Sequence, residues 1–291
     1  MAILGFGLIG GSVARAVRAH DEHRDSRIVL AAWTPGGAGP EAARRDGAID
    51  VAAATPQAAM EGADLIVLAA PVPACLAMLD DLAGPWRAVL APDAIITDVA
   101  STKSAMVLRA TALGLRFVGG HPMAGRESSG YAASSADLFV DRPWVVVPSA
   151  DEPAVVRVEA LAVAVGARPV RMSATAHDWA VAGISHLPLV ASVALVEAVA
   201  GWPDAPRQGW DAARTVASSG WRDATRLALG DVDMGAGIIT TNAAPLADRV
   251  RELIAALEGF ADELERPGGP DRDAISGRLV RARAVLEATG R

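Results

Sequence analysis

The chain is poor in several things, and each absence narrows what it can be. Among 291 residues there is one cysteine, Cys75, so no internal disulfide can form and no cysteine-based zinc cluster is possible. Positive charge is in deficit, with 27 Lys+Arg against 34 Asp+Glu and a formal net charge of −7. A net negative chain with scattered arginines matches a phosphate backbone poorly, which argues against general nucleic-acid binding. Lysine is almost missing: Lys103 stands alone, and the other 26 basic residues are arginines. The longest apolar stretch, 187–200, is interrupted by Pro188, Ser192 and Glu197 and reads as a buried helix rather than a membrane span. No basic segment followed by an apolar one opens the chain, so the expectation is a cytoplasmic protein with no membrane partner and no metal.

What is present is a core-forming composition, 52 % hydrophobic and 21 % charged, on a length suited to two domains. The first half alternates short apolar runs with helical patterns. Strands are expected at 2–4, 28–33, 65–69, 94–97, 117–118 and 144–147, with helices at 8–19, 74–83 and 104–112 between them. Repeated strand–helix–strand units make an α/β domain with a mostly parallel sheet. From Ser173 onward the texture is helical only. Leu246, Val250, Leu253, Ile254 and Leu257 give 244–264 an amphipathic spacing, and 275–288 forms a last helix after Arg266-Pro267-Gly268-Gly269-Pro270. The expected division is therefore a dinucleotide-binding domain at 1–172 and an all-α domain at 173–291.

Gly5-Phe6-Gly7-Leu8-Ile9-Gly10 matches G-x-G-x-x-G between a strand and a helix, the context in which that pattern binds a dinucleotide. The first glycine permits the turn, the second lets the backbone approach a pyrophosphate at the helix N-terminus, and the third allows helix–strand packing. The second strand ends at Thr34, where an NAD site usually carries a carboxylate. Thr34 has none to repel a 2′-phosphate, and Arg44 and Arg45 follow, so NAD and NADP both stay open.

Two further loops follow strands, where doubly wound sheets bind ligands. One is Asp98-Val99-Ala100-Ser101-Thr102-Lys103, and the other runs from Gly119 through His121 and Glu127 to Gly130. His121, directly after a strand and among small residues, is placed to meet a ligand. Ser101 is open to two readings, ligand contact or the cap of a helix starting near Ser104. Arg222 and Arg226 are four apart and share a helical face, so either is placed to clamp an anionic ligand, with Asp223 a partner for the other. His20, His23 and His177 lack such context and read as surface or structural, and Cys75 reads as core.

In chain order, GFGLIGGS, DVASTK, GGHPMAGRESSG, SHLP at 185–188 and GWRDATRLA at 220–228 resemble the prephenate/arogenate dehydrogenase family of tyrosine biosynthesis. The resemblance covers the chain to about residue 230. It implies a Rossmann-type domain followed by a helical dimerisation domain, a homodimer, and an NAD(P)-dependent oxidative decarboxylation of a cyclohexadienol. By family role His121 accepts a hydrogen bond from the substrate hydroxyl, Ser101 orients His121 and the nicotinamide, and Arg226 clamps a substrate carboxylate. His186 and Glu127 are expected at the substrate, and Lys103 as a compact point charge beside it. Many relatives follow SHLP with a second histidine. Leu189 stands there instead, which leaves prephenate, arogenate and an amino-substituted analogue open. More distant alternatives are a β-hydroxyacid or imine reductase, though no lysine follows Lys103, and a non-catalytic NAD(P)-sensing protein.

Overall fold

Aliphatic strands covered on both faces dictate the first half. The computed structural model describes residues 1–21, 27–126 and 128–289. It opens with β1 (Ala2–Leu4), α1 (Leu8–Asp21), β2 (Ala31–Trp33), α2 (Ala38–Arg45), β3 (Val51–Ala52) and α3 (Pro56–Met60). There follow β4 (Leu65–Leu68), α4 (Val72–Ala83), β5 (Ile95–Asp98), α5 (Ser104–Ala112) and β6 (Phe117–Val118). These six strands pair in parallel in the order β3-β2-β1-β4-β5-β6. Every residue of β1, β4 and β5 is buried, as a sheet with helices on both faces requires. Ile3, Leu65, Val67 and Ile95 pack with α1 on one face, while Leu4, Ile66, Leu68 and Ile96 pack with α4 and α5 on the other. The strand order reverses between β1 and β4, which sets the loops after β1, β4 and β5 around one crevice.

The strand expected near 144 exists but does not join that sheet; it belongs to a second, three-stranded one. β7 (Gly120–Pro122) runs antiparallel to β8 (Pro143–Val146), which pairs in parallel with β9 (Arg168–Arg171) across α6 (Glu152–Ala164). His121 consequently lies within a strand rather than in a loop.

Beyond β9 the chain is helical: α7 (Ala174–Val181), a π turn over Ala182–His186, and α8 (Leu187–Val199) form one continuous rod. Pro188 in the first turn of α8 cannot donate an amide hydrogen bond to the preceding turn, and the widened turn accommodates that loss. A hairpin of two-residue strands, β10 (Gly201–Trp202) and β11 (Ala205–Pro206), corrects the expectation that no strand follows residue 173. It is too short for sequence periodicity to reveal. Helices α9 (Trp210–Val216), α10 (Ser219–Thr225) and α11 (Val232–Thr241) complete the first compact unit, Met1–Ala243.

The chain from Ala244 forms a second unit, made by α12 (Ala243–Leu264) and α13 (Arg272–Ala288). Within it the Arg278 guanidinium lies 3.6 Å from the centroid of the Phe260 ring. The Asp271 carboxylate caps α13 through the amides of Asp273 and Ala274, so the helix begins three residues before the expected start.

The rod at Ala174–Val199 is long and apolar enough to cross a membrane by length and composition, with mean hydropathy 1.8 and 22 % of it buried within this chain. Within this single chain only Ser192 of α8 is fully buried.

Candidate active site

The glycine loop divides its labour by contact. Gly5 takes φ +92°, and a Cβ there would lie 2.5 Å from the Ala69 carbonyl carbon at the end of β4. A Cβ at Gly10 would lie 2.4 Å from the Gly5 carbonyl oxygen, so these two positions exclude any side chain. A Cβ at Gly7 would meet nothing within 4 Å. Gly7, Leu8 and Ile9 thus present open backbone at the N-terminus of α1, whose first turn carries no acidic residue. That combination fits the pyrophosphate of a dinucleotide. Thr34 directly follows β2, and its carbonyl accepts the Gly37 amide at 3.1 Å. Arg44 and Arg45 are exposed on α2, with Arg44 3.2 Å from Glu41.

A buried ion pair locks the next two loops together. The Lys103 side chain is completely enclosed and its ammonium bonds Asp98 and, at 2.7 Å, the Gly120 carbonyl. Asp98 also accepts the amides of Gly120 at 3.0 Å and Ala100 at 3.1 Å. Burial pushes the Asp98 carboxyl up, with the Lys103 ammonium and these donors acting against it. The expectation that Lys103 contacts substrate is corrected: an ammonium with no exposed surface, spent on Asp98 and Gly120, fixes the strand that carries His121. Ser101, half-buried, lies in the same loop. It does not cap α5. The Asp178 carboxylate does so from α7, accepting the Lys103 amide at 2.7 Å and the Ser104 amide at 2.8 Å.

Around Asp178 the structure gathers histidines that are far apart in sequence. His121 Nδ1 lies 2.8 Å from His177 Nε2, and His177 Nδ1 lies 2.8 Å from Asp178 Oδ1. His177, set aside on sequence grounds, is therefore buried beside the expected catalytic histidine. The adjacent His177-Asp178 dipeptide on a helix was the available signal. The Asn242 amide donates to the Asp178 carbonyl at 2.8 Å and reaches His186 Nδ1 at 3.0 Å. His186 Nε2 is left buried with no protein partner among the described residues. His121 is held well below the ordinary histidine range by burial, with His177, Lys103 and His186 acting the same way and Asp178 opposing. Burial also brings His186 down to about 4, against the pull of Asp178. Both rings are neutral at pH 7.

His186 also lines a cleft of about 490 Å³ with Arg126, Ser185, Leu189, Arg226, Asp231 and Met234. Arg226 opens a 3₁₀ turn, Arg226–Leu229, just after α10 ends, so the helical face it was expected to share with Arg222 is broken. Arg222 is exposed and does not line the cleft, which corrects its assignment as an alternative clamp. Glu127 and His23 lie outside the described residues. His20 is exposed at the end of α1, and Cys75 is core, its thiol pushed up to about 12 by burial.

A doubly wound sheet with an open glycine loop, and a neutral histidine held at the sheet's carboxyl edge against α7, define a nicotinamide-dependent oxidoreductase. The family described as prephenate dehydrogenase, nucleotide-binding domain, matches residues 13–171, and prephenate dehydrogenase, dimerization domain, matches residues 173–275. The chain belongs to the prephenate dehydrogenase family. It is 31 % identical over 269 residues to the prephenate dehydrogenase of Bacillus subtilis, covering 91 % of this chain and 70 % of that one. Arogenate dehydrogenase of Synechocystis superposes with a TM-score of 0.75 at 28 % identity, over 99 % of this chain and 96 % of that one. Prephenate dehydrogenase of Aquifex aeolicus, solved with hydroxyphenyl propionate and NAD+, gives 0.82 at 24 % identity over the same shares, a likeness of fold.

Proposed function

We propose that the chain converts prephenate to 4-hydroxyphenylpyruvate and CO₂, with NAD+ as hydride acceptor. The observation that carries this reading is His121, neutral and fixed by hydrogen bonds at the carboxyl edge of the sheet whose glycine loop fits a dinucleotide. A neutral imidazole takes the proton of the substrate hydroxyl as the ring carbon becomes a carbonyl-like centre. When bound, the nicotinamide supplies the acceptor for the hydride leaving that carbon. The ring carboxylate departs as CO₂ and aromatisation drives the step, so the protein's task is alignment, proton acceptance and anion binding.

Arg226 in the cleft takes a substrate carboxylate, for which a guanidinium fork is suited. His186 contributes a donor. Asn242 points an N–H at its Nδ1, so its proton sits on the otherwise unpartnered Nε2, facing an acceptor atom of the substrate. Ser101 orients His121 and the nicotinamide side, and Glu127 belongs to the pocket mouth. NAD+ is taken as the acceptor on the family resemblance, while Thr34, which carries no carboxylate, and the exposed Arg44 and Arg45 leave NADP+ to be decided by steady-state assay. The division of labour follows residue 172, with dinucleotide binding before it and the helical part, paired with a second copy, after it.

Arogenate is the second reading, favoured by Asp231 on the cleft wall, a carboxylate suited to the ammonium of an amino-acid tail. Steady-state rates for prephenate and arogenate, each with NAD+ and NADP+, decide both questions. The expected result is the highest kcat/KM for prephenate with NAD+. A strong preference for arogenate replaces the substrate and leaves the site intact.

A further inference from the structure

His121 is approached from behind by a second histidine and a carboxylate that the reaction has not so far used. Asp178 is an acceptor on both oxygens, taking the amides of Lys103 at 2.7 Å and Ser104 at 2.8 Å. Burial works against its charge, but hydrogen bonds from His177, Lys103 and Ser104 outweigh burial and hold the carboxyl below its ordinary range. An ionised carboxylate only accepts, so His177 Nδ1, 2.8 Å from Oδ1, must carry a proton and donate it. Where His177 Nε2 accepts, the His121 Nδ1 at 2.8 Å is the donor. In that arrangement His121 is held as the Nδ1–H tautomer with Nε2 free, the form in which Nε2 accepts a proton. Among the described residues nothing bonds that Nε2.

We propose that His177, anchored by Asp178, is a positioning residue for His121: it fixes the tautomer of the base and stabilises the imidazolium formed when the base takes the substrate proton. The assignment rests on the reading of His121 as the base. The logic is that by which a carboxylate-backed partner orients the histidine of hydrolytic triads, extended by one ring. The proton stays on His121 Nε2 and no proton need leave His177, so atoms and charge balance without another reactant. Groups facing His121 are His177 and Asp178 from α7, Lys103 from the loop before α5, and His186 from the π turn. Lys103 is already committed to Asp98 and Gly120, which leaves His177 as the group in hydrogen-bond contact with the ring.

The test joins a spectroscopic readout to kinetics. The chain has five histidines, so long-range ¹H–¹⁵N correlations of the histidine-labelled protein are assignable by single substitutions. In the wild-type protein His121 is expected to show a protonated Nδ1 and a bare Nε2. In His177→Phe that preference is lost and kcat falls by ~100-fold with KM held within ~3-fold, the scale of a misoriented general base. In His177→Gln, where a side-chain carbonyl can accept from His121 Nδ1, the tautomer and part of kcat return. A wild-type His121 protonated at Nε2, or an unchanged tautomer in His177→Phe, overturns the proposal. So does a fall in His177→Phe carried by KM alone. The tautomer is read without substrate, so inactivity of the wild-type protein toward prephenate would overturn the proposed reaction and leave this assignment to its own evidence.

Discussion

At the scale of single residues, neutrality of buried histidines is the property with the widest consequences. His121 is held below the usual histidine range and His186 is brought to about 4, whereas the unfolded chain titrates near ~6.5. Between those values the unfolded state binds more protons than the folded one, so stability is fully present above ~6.5 and declines as pH falls toward 4. Urea midpoints at successive pH values are expected to drop over that window, and His186→Phe should flatten the drop. For catalysis the same shift keeps the base competent in mild acid. The kcat/KM profile should stay level through pH 6.5 and fall only well below it, and an acid limb at 6.5 would contradict the enclosed His121. His121→Asn is expected to reduce kcat by ~100-fold or more, while Arg226→Ala should act mainly on KM as a lost carboxylate clamp. Lys103 makes a different demand. Lys103→Met leaves Asp98 charged and buried without its partner, at a cost of about 3–5 kcal/mol, which thermal denaturation reads directly. Adding Asp98→Asn should recover part of that loss.

At the scale of elements, the glycine loop separates folding from binding. Gly10→Ala forces a Cβ against the Gly5 carbonyl, so overpacking of about 1–3 kcal/mol is expected in the apo protein. Gly7→Ala meets open space and should leave the apo melting temperature almost unchanged, yet raise the NAD+ Kd by ~10-fold or more, about 1.4 kcal/mol. Equal destabilisation by both variants would refute the division. This loop was legible in the sequence because its requirements are local: a strand, three glycines and a helix within a dozen residues. The continuous aliphatic strands β4 and β5 were legible for the same reason. The partners of His121 were not. His177 lies 56 residues away and Asp178 one further, and only the packing of α7 against the loop before α5 brings them in. Lys103 shows the converse error. Its rarity drew attention correctly, but burial against Asp98 is a long-range outcome that residue counting assigns to the wrong neighbour. Arg222 failed because a change from α10 to a 3₁₀ turn rotates the residues on either side, and no periodicity announces such a turn.

At the scale of the whole molecule, apolar surface exceeds what this single chain covers. In the rod at Ala174–Val199, Ile184 is 71 % exposed, and α8 buries only Ser192 completely. In the second unit Leu257 and Val280, at 58 % and 65 %, repeat the pattern on both helices. Contiguous apolar faces of this kind mark an interface, and the helical part matches a family domain described by its dimerization. The same rod carries Asp178, His177 and His186, whose side chains are bonded into the first unit, so pulling the rod into lipid would strip these bonds away. A second copy is therefore the better cover than a bilayer. Light scattering at micromolar concentration should return twice the 29.8 kDa of the chain. Leu257→Glu should shift the mass toward that of one chain, because a charge desolvated at an apolar contact costs more than the contact returns. A wild-type protein that stays at 29.8 kDa and floats with anionic vesicles would assign the apolar rod to a membrane surface instead.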